Sequence, residues 1–193
     1  HESGIRNQEF FLRDAKDSPI KVSDIKHIKN GKVVEGIDLS KGAKNFIAMR
    51  EVSTKNKKER NVPISLETAK AIDAFVKKYK IKKSEDLIND KYKKPIRKIV
   101  NEKLKKLYKK AEIDDVRDVL HQEGYFFIKD FNEKDVRLLN YILGHDMTAI
   151  ERVYGKDAPT SKIIEAGFEA MNKIWNQRKT EVKEKFQKVT PEL

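Results

Sequence analysis

The chain has 193 residues, enough for one sizeable domain or two small ones, and is 38% apolar and 38% charged. Lys and Arg number 43 against 31 Asp and Glu, and the resulting net charge of +12 fits either a lysine-rich solvated surface or one that binds a polyanion, most often nucleic acid. The absence of cysteine excludes disulfides, thiolate catalysis and cysteine zinc sites; His1, His27, His121 and His145 lack metal-ligand spacing, and no apolar run nears the roughly 18 residues of a membrane span.

Residues 1–14 read as helical, with Ile5, Phe10, Phe11 and Leu12 as apolar positions. No signal peptide is visible, and the chain opens inside this helical pattern, as a domain taken from a longer protein would. Ser18-Pro19 breaks the pattern, and Val22, Ile25 and Ile28 form a short apolar patch before an Asn30-Gly31 turn. Residues 32–37 and 45–52 read as strands separated by the Ser40-Lys41-Gly42 turn. A polar tip over residues 53–59 leads to another strand at residues 60–64. Together they predict a small antiparallel sheet with a lysine-rich hairpin, in which Pro63 suits a strand end or sheet edge.

Ser65 is an N-cap candidate with Glu67 in the first turn, and Ala69, Ile72, Val76 and Tyr79 recur at helical spacing. Residues 80–94 form a polar connection holding Leu87-Ile88. Pro95 then opens a second helix with Ile96, Ile99, Val100, Leu104, Leu107 and Ala111 on one face. Lys103, Lys105, Lys106, Lys109 and Lys110 fall on the other, a solvated or phosphate-contacting face. Residues 114–130 are helical in their first half. Asn132 and Asp135 form a capping pair for a helix carrying Val136, Leu139, Ile142 and Leu143, and Gly144 stands where a left-handed residue ends a helix. A short helix over residues 147–153 carries Tyr154 at its end. After Pro159 a long helix aligns Ile164, Phe168, Met171, Trp175, Val182 and Phe186 in one stripe, with Trp175 a packing residue. The expected fold class is mainly α with a small antiparallel β-sheet (α+β).

The chemistry-bearing stretches are far apart. They are Ser3-Gly4-Ile5-Arg6 with Glu9 three residues on; Thr54-Lys55 with Lys58, Arg60 and Val62-Pro63-Ile64; Asp115-Val116-Arg117; and Leu143-Gly144-His145, with Tyr154 nine residues after the histidine. In this order they resemble the first arginine box, the catalytic β-hairpin, the second arginine box and the last box of tyrosine recombinases, the phage-integrase type. Each stretch alone is common by chance, whereas the ordered set spans residues 3–154.

The resemblance implies the tyrosine-recombinase catalytic-domain fold, with a core over residues 1–158 and a C-terminal helix over residues 159–193 that packs in cis or on a neighbouring protomer. Nothing in the chain corresponds to the family's separate N-terminal DNA-clamping domain. The implied activity is site-specific DNA recombination or integration by strand cleavage and rejoining, without metal or other cofactor. Tyr154 is then the nucleophile, forming a 3′-phosphotyrosyl link and freeing a 5′-hydroxyl. A phenol titrates near pH 10 and needs positive surroundings to act as a nucleophile at neutral pH. Arg6 and Arg117 would grip non-bridging phosphate oxygens in the fork geometry of guanidinium. His145 would donate to the phosphate or position Tyr154. Lys55, eight residues before Pro63, is the candidate general acid, with Lys57 and Lys58 as rivals in the same tip. Lys57, Lys58 and Arg60 are candidate DNA-binding residues, and Glu9 either orients an arginine or is a surface carboxylate. The implied partners are double-stranded DNA and further copies of the chain, as a tetramer, in the cytoplasm or on the nucleoid.

The chain also departs from the family pattern. Asp114 stands three residues before Arg117, where the family has histidine or sometimes lysine, and Asp118 follows Arg117 where histidine is frequent. A carboxylate near a scissile phosphate is repelled, so Asp114 points away and holds an arginine, or the register differs, or the site works without that donor. His121, one helical turn after Arg117, is a substitute imidazole or a plain helix-face residue. The step from Arg117 to His145 is slightly long, and residues 14–45 form an extended insertion. These features fit a divergent branch of archaeal viral or mobile-element type. They also fit an impaired enzyme that only binds DNA, and type IB topoisomerase-like relaxation draws on the same residue types.

Overall fold

The computed structural model describes residues 20–51, 59–107, 131–144, 148–155 and 157–189. Four antiparallel strands, β1 (Ile25–Lys29), β2 (Lys32–Glu35), β3 (Lys44–Met49) and β4 (Arg60–Ile64), form one sheet in the order β2-β1-β3-β4. The Asn30-Gly31 turn is a two-residue hairpin with φ of 52° and 70°, the left-handed pair that lets the connection follow the strand twist. Strand β1 lies where the sequence suggests only an apolar patch. Its inward residues are Ile25 and His27, so a histidine masks the alternation. His27 is tolerated inside because its Nδ1 meets the Gly36 carbonyl oxygen at 2.9 Å; that oxygen can only accept, so Nδ1 carries the proton.

Strand β2 is exposed along its whole length, whereas β3 and β4 carry the core residues Phe46, Ile47, Met49, Val62 and Ile64. Strand β4 is the opposite edge, paired to β3 with Ile47 facing Val62 and Met49 facing Arg60. Successive amides of a strand point to alternate sides, and Asn61 points its N–H away from β3. Pro63, two residues on, therefore lacks its N–H on the side where no ladder bond is formed, as the edge reading anticipates.

Helix α1 (Leu66–Tyr79) begins as expected, with Ser65 Oγ accepting from Thr68 N at 3.1 Å. It ends on Lys80 in the left-handed conformation, φ 52°. Helix α2 (Asp90–Leu107) starts five residues before Pro95, so the proline does not open it. Proline there leaves the carbonyl one turn earlier, on exposed Lys91, without its helical partner; water can reach that turn. Tyr92 and Ile96 pack on the core while Ile99, expected on the same face, is 52% exposed.

Helix α3 (Glu133–Leu143) carries the expected capping box. Asp135 N donates to Asn132 Oδ1 at 3.0 Å, and Asn132 N donates to Asp135 Oδ2 at 3.1 Å. Helix α4 (Ala149–Tyr154) is followed by Gly155. Helix α5 (Thr160–Val189) starts just after Pro159. The main core joins Phe46, Ile47, Val62 and Ile64 of the sheet to Leu139, Ile142 and Leu143 of α3 and to Ile164, Phe168, Met171 and Trp175 of α5. Trp175 packs edge-on to Phe168 with ring centroids 6.2 Å apart, the packing role expected of it. The first part of α5 is thus core of the same chain. Among the described residues no helix is long and apolar enough to cross a membrane.

Candidate functional site

The β3–β4 hairpin is held on both legs by arginines. On the leg leaving β3, Arg50 Nε binds the nearly buried Asp24 carboxylate at 3.0 Å; a carboxylate oxygen of Asp24 also accepts from Lys21 N at 2.8 Å. On the returning leg Arg60 is 3% exposed, and its Nε donates to the Ile142 carbonyl oxygen at 3.0 Å. The last carbonyls of a helix lack helical partners, so a guanidinium is a natural cap.

Two residues later in the same contact, Gly144 ends α3 with φ 69°, its N–H closing on the helix. A Cβ at Gly144 would stand 3.3 Å from the Arg60 guanidinium carbon. Beside this, the Tyr141 hydroxyl accepts from Asn61 N at 3.3 Å. Burial raises the Tyr141 pKa above its ordinary value, opposed by the Asn61 N–H and then by the Arg60 charge. Two neighbours on β4, Arg60 and Asn61, are therefore bonded to two neighbours on α3, Ile142 and Tyr141. Strand β4 starts and α3 ends at this junction.

Tyr154 closes α4 and packs against a second cluster made by Leu138, Ile150, Ala166 and Ala170. Its hydroxyl oxygen is enclosed and makes no hydrogen bond among the described residues. The Lys134 ammonium stands 5.0 Å from the centre of its ring. That contact is to the ring and lacks hydrogen-bond geometry. Neither Lys134 nor the inward side of Tyr141 was visible in the residue pattern, because each partner is distant in sequence.

Of the residues expected at the site, Tyr154 and Arg60 are described. Arg6, Glu9, Lys55, Lys57, Lys58, Asp114, Arg117, His121 and His145 lie outside the described residues. Arg60, expected as a DNA contact, has its guanidinium turned inward to α3 and covered. Among the described residues no group of three His, Cys, Asp or Glu could hold a metal ion.

Exposed lysines crowd the end of α1, the following connection and the start of α2: Lys77, Lys78, Lys80, Lys82, Lys83, Lys91, Lys94 and Lys98. Within them Phe75, Tyr79 and Tyr92 form an aromatic cluster, with Tyr79 and Tyr92 centroids 4.6 Å apart and Lys78 and Lys91 over their rings. No known family's model matches the chain, and no curated protein or solved structure does either.

Proposed function

We propose that the chain is the catalytic domain of a tyrosine-type site-specific DNA recombinase, acting through a 3′-phosphotyrosyl intermediate. The ordered set of boxes first suggests the reading. The observation that supports it most is the β4–α3 junction, where the strand that follows Lys55 in sequence is bonded to the helix that precedes His145 in sequence. The exposed lysines along α1 and α2 favour a polyanionic partner, here double-stranded DNA.

In the reaction, the Tyr154 phenol gives up its proton to water as its oxygen attacks the phosphorus of a DNA phosphodiester. The P–O bond to the 5′-oxygen breaks, and that oxygen takes a proton from Lys55 to leave as a hydroxyl. Arg6, Arg117 and His145 stabilise the charge that builds on the non-bridging oxygens. The reverse attack by a 5′-hydroxyl of another strand rejoins DNA and frees the phenol, with the bond energy conserved in the ester. The Tyr154 hydroxyl is enclosed without DNA, so this reading requires it to become accessible when DNA binds. The assembled form is a tetramer on DNA.

The test uses nicked duplexes, selected from a randomised pool for retention by the protein, on which the cleaved strand diffuses away. Wild-type protein is expected to yield a covalent DNA adduct, and Tyr154→Phe to bind the same duplex without forming one. An adduct formed equally by Tyr154→Phe overturns the assignment of the nucleophile. DNA binding with no adduct from wild type favours an inert binding module, and relaxation of supercoiled plasmid lacking any selected site favours a topoisomerase.

A further inference from the structure

Arg60 is a buried charge on a chain whose other described lysines and arginines lie largely at the surface, and burial of a charge is costly unless something holds it. What it holds is the end of α3: its Nε meets Ile142 O at 3.0 Å, and its guanidinium lies flat enough against Gly144 that a Cβ would stand 3.3 Å away. The neighbouring bond from Asn61 N to Tyr141 Oη, 3.3 Å, prevents rotation about the first. Pro63 adds a third contact, reaching within 3.3 Å of the place where a Cβ on Gly167 of α5 would stand. Strand β4 is thus fixed to both helices, through Arg60 and Asn61 to α3 and through Pro63 to α5. The other leg of the same hairpin is anchored through Arg50 and Asp24.

We infer that Arg60 is a positioning residue, which fixes the end of α3, the helix that precedes His145 and Tyr154 in sequence, to the start of β4, the strand that follows Lys55 in sequence. The inference rests on the recombinase reading for its chemical consequence, and on the bonds alone for its mechanical one. Lysine cannot replace Arg60: a single ammonium cannot both cap the Ile142 carbonyl and present a flat face to Gly144. A displacement of about 1 Å between acid and nucleophile costs about 100-fold in rate.

Two measurements on the full chain decide it. First, amide hydrogen exchange is followed without DNA in wild type, Arg60→Lys and Tyr141→Phe. Residues 142–155 are expected to exchange faster in both variants while Ile47 and Val62 keep their protection, which also certifies that the variants fold. Second, adduct formation is timed at saturating nicked duplex. Arg60→Lys is expected to lose about 100-fold in rate with DNA affinity unchanged, Tyr141→Phe to lose severalfold, and Arg60→Ala to be partly rescued by added guanidinium. Unchanged exchange in residues 142–155, or a folded Arg60→Lys that cleaves at the wild-type rate, overturns the inference. If wild type forms no adduct at all, the recombinase reading falls and the catalytic part of the inference falls with it; the exchange data then still decide the mechanical part.

Discussion

Gly144 meets two demands at once, a φ of 69° and a guanidinium 3.3 Å from where a Cβ would stand. Alanine at this position must adopt a left-handed backbone and push Arg60 off the Ile142 carbonyl. Gly144→Ala is expected to lower stability by about 1–3 kcal/mol, read as a lower urea midpoint with an unchanged slope; an unchanged midpoint contradicts the packing described. Tyr141 gives a second reading of the same junction. Its folded pKa is raised above the ordinary 10.0, chiefly by burial, so the folded chain keeps a proton that the unfolded chain releases. The stabilisation this supplies is complete below the unfolded pKa and is lost as pH rises through the folded one. Absorbance titration should therefore show a late phenolate that is absent in Tyr141→Phe, and the variant's stability should fall less steeply in the alkaline range. Identical titrations would place Tyr141 in contact with water.

Helix α3 links the second cluster to the sheet, and both its ends are tied locally. Asn132 and Asp135 close the first turn, and Asp135 Oδ2 also accepts from Lys173 Nζ of α5 at 2.6 Å. Asn132→Ala is expected to cost about 1 kcal/mol, measured by thermal or urea unfolding; no loss would mean that the cap is idle. These ends are legible in the sequence because a cap is written within four residues: Asn132 with Asp135, Gly144 after an apolar helix. The Asn30-Gly31 hairpin and the Ser65 cap are legible for the same reason. Strand β1 is not, since its inward His27 depends on a carbonyl at Gly36 that the pattern does not announce. The start of α2 is hidden by Pro95, which reads as a helix opener although the helix is already under way. Arg60 is the instructive case. Its place in a lysine-rich hairpin suggests DNA, whereas its partner is a carbonyl 82 residues away, a distance no local pattern spans.

At the scale of the whole molecule, the described residues form a small four-stranded sheet with helices around it, carrying a chain charge of +12. Tyr154, the last residue of α4, and the junction of β4 with α3 belong to adjoining packed clusters that share Tyr141 and Phe131 at their border. Neutralising DNA phosphates releases counterions, so affinity should fall about 1,000-fold between about 50 and 200 mM salt. A flat salt response would remove the basic face from the interface. The central claim is that Tyr154 becomes covalently joined to DNA. The direct measurement is to trap the adduct with wild-type protein and a nicked duplex, digest protein and DNA, and locate the modified residue by mass spectrometry. A phosphotyrosine link is expected at Tyr154; a link at any other residue, or DNA that stays uncut while bound, removes Tyr154 as the nucleophile.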